Sequence, residues 1–270
     1  MRLVSIQGSS GPAGALLRDG RVFRLENEPT LDELVDRGLA GALDASGEGE
    51  PFERAPLLPP ITRPAKIICI GHNYHSHAAE QDAEAPKFPT FFAKFQNALA
   101  APGATVKLPE WSRVDYEAEV AFVIGRRAKD VPESDALEYI AGYTLFNDLS
   151  ARDYQFKTPQ WMPGKVFDGS GPCGPALVTP DEAGPHDGIE FELRLNGELM
   201  QQGTTADLVH SIPVLVAYLS MLTTLEPGDI VATGTPAGVG SLRDPRVWLA
   251  PGDEILISSP SLGVLETRLA

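Results

Sequence analysis

The stretch from Arg113 to Gly174 constrains this chain most, and within it the run Asp115-Tyr116-Glu117-Ala118-Glu119. Val120, Ala121, Phe122, Val123 and Ile124 follow, and Gly125 ends the run. β-Branched and aromatic residues bounded by a turn residue predict a strand. Side chains on a strand alternate between faces, so Glu117 and Glu119 point the same way. Two residues of rise set their backbones roughly 7 Å apart, close enough for both carboxylates to converge on one ion. Like charges beside a buried strand are costly unless a cation neutralises them. The alternative is that both glutamates lie on the solvated face of an edge strand.

A second apolar run, Tyr143-Thr144-Leu145-Phe146, ends in Asn147-Asp148 and so places another carboxylate at a strand end. Arg152, Asp153 and Gln155 follow, then a loop with Pro and Trp, then Gly164-Lys165-Val166-Phe167-Asp168. Three carboxylates near a lysine favour an oxygen-rich Mg²⁺ or Ca²⁺ site over zinc, which takes Cys and His.

Earlier in the chain, Lys66-Ile67-Ile68-Cys69-Ile70 predicts a continuous apolar strand, followed by Gly71-His72-Asn73-Tyr74-His75-Ser76-His77-Ala78-Ala79-Glu80. Three histidines in six residues suggest a metal, but their spacing after a glycine turn is poor for one. His77 and Glu80, three apart, are neighbours on a helical turn. That arrangement suits either a surface pair or an imidazole oriented by a carboxylate as a general base.

Asp-Tyr-Glu-Ala-Glu, the run Asn147-Asp148-Leu149-Ser150-Ala151-Arg152-Asp153-Tyr154-Gln155, Gly-Lys-Val-Phe-Asp and Gly234-Thr235-Pro236-Ala237-Gly238-Val239-Gly240 together resemble the fumarylacetoacetate hydrolase family, over about residues 64 to 270. The resemblance implies Glu117, Glu119 and Asp148 as metal ligands and Lys165 as the active-site lysine. It implies a lid carrying His77 and Glu80, and substrate contacts from Arg152, Gln155 and Thr235. It further implies Mg²⁺ (Mn²⁺ or Ca²⁺ being alternatives), a small-molecule 2-oxo acid substrate, and a homodimer. His72 stands where many acylpyruvate-cleaving relatives carry Arg.

The remaining chain reads as strands with few helices. Leu3, Val4 and Ile6 predict a strand, and Asp19-Gly20 a hairpin turn. Thr30 and Glu33 form a capping-box pattern ahead of a short helix. Residues 40 to 64 are rich in Gly, Glu and Pro and suggest a linker. Phe91 to Phe95 and Ile189 to Leu195 predict strands, the latter turning at Asn196-Gly197. Ser134 to Tyr143 and the stretch after Ser211 predict helices. Ile230 to Thr233 and Asp253 to Ser258 complete the strands, the latter as the last. The pattern predicts a β-rich α+β fold without βαβ rhythm; the resemblance refines this to a mixed β-sandwich roll. The expected division is a small N-terminal β-rich domain and linker over residues 1–60, then a catalytic domain over residues 61–270.

With 37 acidic against 22 basic residues the formal charge is −15, which argues against a nucleic-acid partner. Two cysteines, Cys69 and Cys173, do not make a disulfide framework. The start is too short and polar for a signal peptide, and no run reaches the length of a membrane span. A cytoplasmic protein with no membrane partner is expected. The function that the resemblance implies, through its His–Glu pair, is metal-dependent hydrolysis of an acylpyruvate-type 2,4-diketo acid through an enolate. The alternative is an isomerase, tautomerase or decarboxylase on a related 2-oxo acid, of the oxaloacetate or 2-hydroxyhepta-2,4-diene-1,7-dioate type.

Overall fold

In the computed structural model, residues 1–39, 45, 47–80, 82 and 84–270 are described. Parts of the expected linker (40–44 and 46), and residues 81 and 83 just past the expected lid pair His77 and Glu80, therefore lie outside the described residues. The architecture is sheet-rich α+β: a twelve-stranded sheet, a five-stranded sheet and a two-stranded ribbon among the described residues.

Ala118–Ile124 lies inside the large sheet, antiparallel to Ile140–Asn147 on one side and to Ile230–Ala232 on the other. All seven of its residues are buried. The reason is that both faces of the sheet are covered. Val120, Phe122 and Ile124 join one apolar core, which continues into the five-stranded sheet through Phe191, Leu193, Ile255, Ile257 and Leu265. Ala121 and Val123 join a second core on the opposite face, with Leu3, Leu31, Ile67 and Ile230. A strand covered on both faces must be apolar at every position, which is why the run lacks alternation. The edge-strand alternative for Glu117 and Glu119 does not apply.

Ile67–Gly71 lies parallel to Ile230–Ala232 and antiparallel to Thr90–Lys94, which ends the sheet. At the other side Gly171–Val178 accepts the first strand, Arg2–Gln7, through Arg2↔Val178 and Leu3↔Leu177. The hairpin Pro12–Arg18 and Arg21–Arg24 extends the sheet further, with Asp19 and Gly20 at φ of 50° and 70° in its turn. The capping box forms as expected: Thr30 and Glu33 exchange hydrogen bonds at the start of helix Leu31–Asp36.

Two expectations need correcting. The segment read as a helix to Tyr143 is a 3₁₀ turn over Glu133–Tyr139, and the strand begins at Ile140. There the register of Ala118–Ile124 captures Ile140 and Gly142, and strand pairing outweighs local helix preference. The chain also does not end on the strand near Ser258; Glu254–Ser259 turns back into Gly263–Leu269.

Candidate active site

Glu117 and Glu119 straddle the start of the central strand, and Asp148 follows the last residue of its neighbour, whose Asn147 pairs with Ala118. Asp148 N donates to Glu117 O (2.9 Å), fixing the two ends together. Pairing thus brings three carboxylates to one end of the sheet, with ligand oxygens all within 4.8 Å of one another and all three residues buried. They are the group of His, Cys, Asp and Glu that converges in this way among the described residues.

Cations surround them. Lys165 Nζ donates to Glu117 Oε2 (2.8 Å) and Asp148 Oδ2 (2.7 Å). Lys94, reaching in from the end strand, donates to Asp148 Oδ1 (2.6 Å). Arg152 lies 2.7 Å from Glu117 Oε1 and also donates to Gln155 Oε1 (2.8 Å). Its other edge grips Asp115 Oδ2 through Nε (3.0 Å) and Nη2 (2.8 Å). Asp115 also accepts from Gly240 N (2.8 Å) and Ser241 N (3.0 Å), tying the glycine-rich loop to Arg152.

This leaves Glu119 apart. Its hydrogen bond comes from Gly234 N (2.9 Å), with no lysine or arginine partner among the described residues. Burial pushes its carboxyl well above the usual range, and Asp148 and Glu117 push the same way. For Glu117 burial also opposes ionisation, yet Lys165 and Arg152 together hold it at about 2. Burial works against the Lys165 charge, but Asp148 and Glu117 outweigh it and raise its pKa. Among the described residues, Lys94, Arg152 and Lys165 are the cations paired with Asp115, Glu117 and Asp148, and Glu119 adds a fourth carboxyl group. One negative charge in excess, on an all-oxygen donor set, fits a hard divalent cation.

Helix His75–Glu80 stands over the same cavity. Its approach is set by Asn73, which donates to Thr233 O (2.8 Å) and accepts from His210 N (2.8 Å). His77 Nδ1 lies 3.1 Å from Glu80 Oε2, and Glu80 Oε1 accepts from Gly238 N (2.9 Å). The pair therefore faces the cavity and is not a solvated surface pair. His72 stacks on His77 at 6.0 Å and meets Trp161 edge-on at 5.0 Å. Burial, then His77, lowers the His72 pKa below the ordinary imidazole value. His75 is exposed, and the three histidines do not converge on a metal position.

The cavity, about 910 Å³, brings together Glu117, Glu119, Lys165, Arg152, Gln155, His77, Glu80 and Thr235. Asp148 packs behind them through its lysines. The Thr235 hydroxyl donates to Ala118 O (2.9 Å) and accepts from Gln201 Nε2 (2.8 Å), which anchors the glycine-rich loop on the central strand. Sequence reasoning missed Lys94 and Asp115 as parts of the site. A lysine closing an otherwise apolar strand was a signal for the first; the second sat inside the motif itself.

Residues 66–270 match the family model described as fumarylacetoacetate (FAA) hydrolase C-terminal. The chain is 40% identical to a mitochondrial oxaloacetate tautomerase of Xenopus laevis, over 98% of this chain and 89% of that protein. It is 42% identical to one of Rattus norvegicus, over 91% and 78% respectively. Among solved structures it resembles the 5-carboxymethyl-2-hydroxymuconate delta-isomerase of Mycobacterium smegmatis, with TM-score 0.82, 35% identity, and coverage of 100% of this chain and 98% of that one.

These findings overturn the expected acylpyruvate hydrolase, a C–C bond hydrolase, because the similar proteins are named tautomerases and isomerases. The physical reason is that an oriented imidazole can move a proton on carbon as readily as activate water, so the His–Glu pair does not select hydrolysis. Both relatives are named mitochondrial, and no helix among the described residues is long and apolar enough to cross a membrane. What the four motifs, the matched domain and the relatives share is one ancestry: the chain belongs to the fumarylacetoacetate hydrolase family.

Proposed function

We propose that this chain is a divalent-metal-dependent tautomerase that interconverts the keto and enol forms of oxaloacetate or a closely related 2-oxo acid. The observation that carries the reading is one cavity holding both a buried carboxylate–lysine cluster and the His77–Glu80 pair. Similarity to oxaloacetate tautomerases across nearly the whole chain supports the choice of reaction.

Glu117, Glu119 and Asp148 would hold the ion, with Mg²⁺ the proposed occupant and Mn²⁺ or Ca²⁺ able to use the same oxygen donors. When bound, it supplies Lewis-acid polarisation of the keto group of a 2-oxo acid. The Lys165 ammonium adds fixed positive charge where the keto oxygen becomes negative. Arg152 and Gln155 line the cavity beside Glu117 and orient the acid.

His77 moves the proton. Glu80 accepts from Nδ1–H, a tautomer assigned from that contact, which puts the basic lone pair on Nε2. Nε2 takes a proton from C3; the C3–H electron pair becomes the C2–C3 double bond, and the keto π pair moves to O2. The imidazolium then gives its proton up, directly or through water, as O2 gains one, so that the enol and neutral His77 result with no net change in protons, and the reverse steps regenerate the ketone. Glu80 stabilises the imidazolium formed on the way.

The test follows the decay of enol-oxaloacetate absorbance with Mg²⁺. Wild type should exceed the buffer rate, and His77→Ala should lower kcat by about 10²-fold, the scale of a general base. A wild-type rate equal to buffer, or His77→Ala at full rate, overturns the reading.

A further inference from the structure

The cavity is larger than a four-carbon acid needs. About 910 Å³ stands at the upper end of the roughly 300–1,000 Å³ typical of sites that bury drug-sized ligands. The carboxylate cluster occupies its floor. Its mouth is built from three other segments. Val114–Asp115 pairs with Ser150–Ala151, and Arg152 N donates to Arg113 O (3.0 Å). Leu249 N donates to Val114 O (3.0 Å), bringing residues 246–248 alongside Arg113.

This places Arg113 and Arg246 on the lining of one cavity, together with Trp248. The Arg113 guanidinium lies over the Trp248 ring at 5.7 Å, a contact that orients it without neutralising it. Neither arginine makes an ion pair with a described carboxylate. Asp153, at the same mouth, uses Oδ2 to accept from Arg113 N (2.7 Å) and Ser112 Oγ (3.2 Å). Lys157 also lines this rim. On a chain with formal charge −15, a cationic rim is a local inversion of sign. An arginine held on an aromatic face, with its donors open, matches a carboxylate bidentately.

We infer that Arg113 and Arg246 form a distal anion subsite that takes the second carboxylate of a 2-oxo dioate while its 2-oxo acid end lies on the floor. The inference rests on the proposed function for the floor, and deepens it by naming the residues that select diacids over monoacids. Arg152 and Lys165 pair with the buried carboxylates and serve the 2-oxo acid end on the floor, so the rim supplies the positive charge left for a second carboxylate.

The test compares two ligands of equal length, 2-oxoadipate and 2-oxohexanoate, which differ only in a distal carboxylate against a methyl group. Binding to the Mg²⁺-loaded protein is measured by calorimetry. Wild type should bind the dioate more tightly. Arg113→Ala/Arg246→Ala should weaken dioate binding by about tenfold, the combined scale of two exposed charge pairs, and leave the monoacid within twofold. Arg113→Lys/Arg246→Lys, which keeps the charge, should recover part of the difference. Equal binding of the two ligands by wild type, or equal losses for both in the alanine variant, overturns the inference. Because the readout is binding, a wild type that discriminates between the ligands yet fails to convert enol-oxaloacetate refutes the floor chemistry and leaves the rim assignment standing.

Discussion

The floor and the mouth of the cavity are made on opposite physical terms. The floor is set by strand pairing, with Lys165 added from the turn after Met162–Gly164: Glu117, Glu119, Asp148, Lys94 and Lys165 are all buried, and each ion pair is held at 2.6–2.8 Å. The mouth is set by loops, and Arg113, Lys157 and Arg246 are exposed. Buried charges interact strongly and carry a desolvation cost, whereas exposed ones are screened and weakly coupled. Perturbations should therefore act on rate and stability at the floor, and on substrate choice at the mouth.

The largest effect is expected at Lys165. Lys165→Met removes the charge proposed to face the developing negative oxygen and should lower kcat by about 10²–10³-fold, the scale of losing one such stabilising group. Steady-state tautomerisation kinetics check this. A change confined to KM would show instead that Lys165 only holds the ground-state acid.

Lys94→Met probes the floor's stability. It leaves Asp148 with Lys165 as its lysine partner inside the sheet. Breaking one side of a buried pair costs roughly 3–5 kcal/mol, and the remaining lysine favours the low end. A drop in Tm of roughly 6–12 °C is expected for about 3 kcal/mol in a domain of this size. An unchanged Tm would place Lys94 outside the balance of charge.

The two lysines also show what the sequence made legible. The spacing Glu117-Ala118-Glu119 states the convergence of two carboxylates directly, because strand periodicity is local. Asp148 could be placed at a strand end for the same reason. Lys94 was visible as a lysine closing an apolar strand, but its place in the site was not, since nothing local says that Thr90–Lys94 ends the sheet with its last side chain turned inward. Asp115 was visible as a residue, but its grip on Gly240 and Ser241 spans 125 residues of chain or more. The reaction was the least legible of all. Hydrolysis and tautomerisation can call on the same base and the same cluster, so the residue pattern did not choose between them.

Glu119 gives the next effect, in the metal-free protein. Its folded pKa lies above its unfolded value, through burial, Asp148 and Glu117. Such a group stabilises the fold while protonated, and that contribution is lost as pH rises through the folded pKa. Metal-free protein should therefore lose stability toward neutral pH, and Mg²⁺ should restore it. Glu119→Gln should raise the metal-free Tm at pH 7 by a few degrees, roughly 2–4 °C per kcal/mol gained, and flatten its pH dependence. The same variant should no longer be stabilised by Mg²⁺. Asp229, raised mainly by burial, contributes in the same direction, so the comparison of Glu119→Gln with wild type isolates the floor. An identical Tm–pH profile for the two proteins would contradict the assignment.

The smallest effect is expected at the mouth, and it separates the two regions without a mutation at the floor. The Debye length falls from about 10 Å at 0.1 M salt to about 3 Å at 1 M. Exposed Arg113 and Arg246 then lose most of their reach toward an incoming dianion, while the buried pairs around Asp148 change little. Raising salt should accordingly increase KM for oxaloacetate by about two- to fivefold, the scale of one or two exposed charge pairs, with kcat nearly constant. In Arg113→Ala/Arg246→Ala the KM is already high and should hardly respond. A salt-dependent kcat in wild type would mean that ions reach the floor. A salt response of KM that survives in the double variant would assign the attraction to Lys157 or to the cluster itself, and the division between a buried floor and a selective mouth would fail.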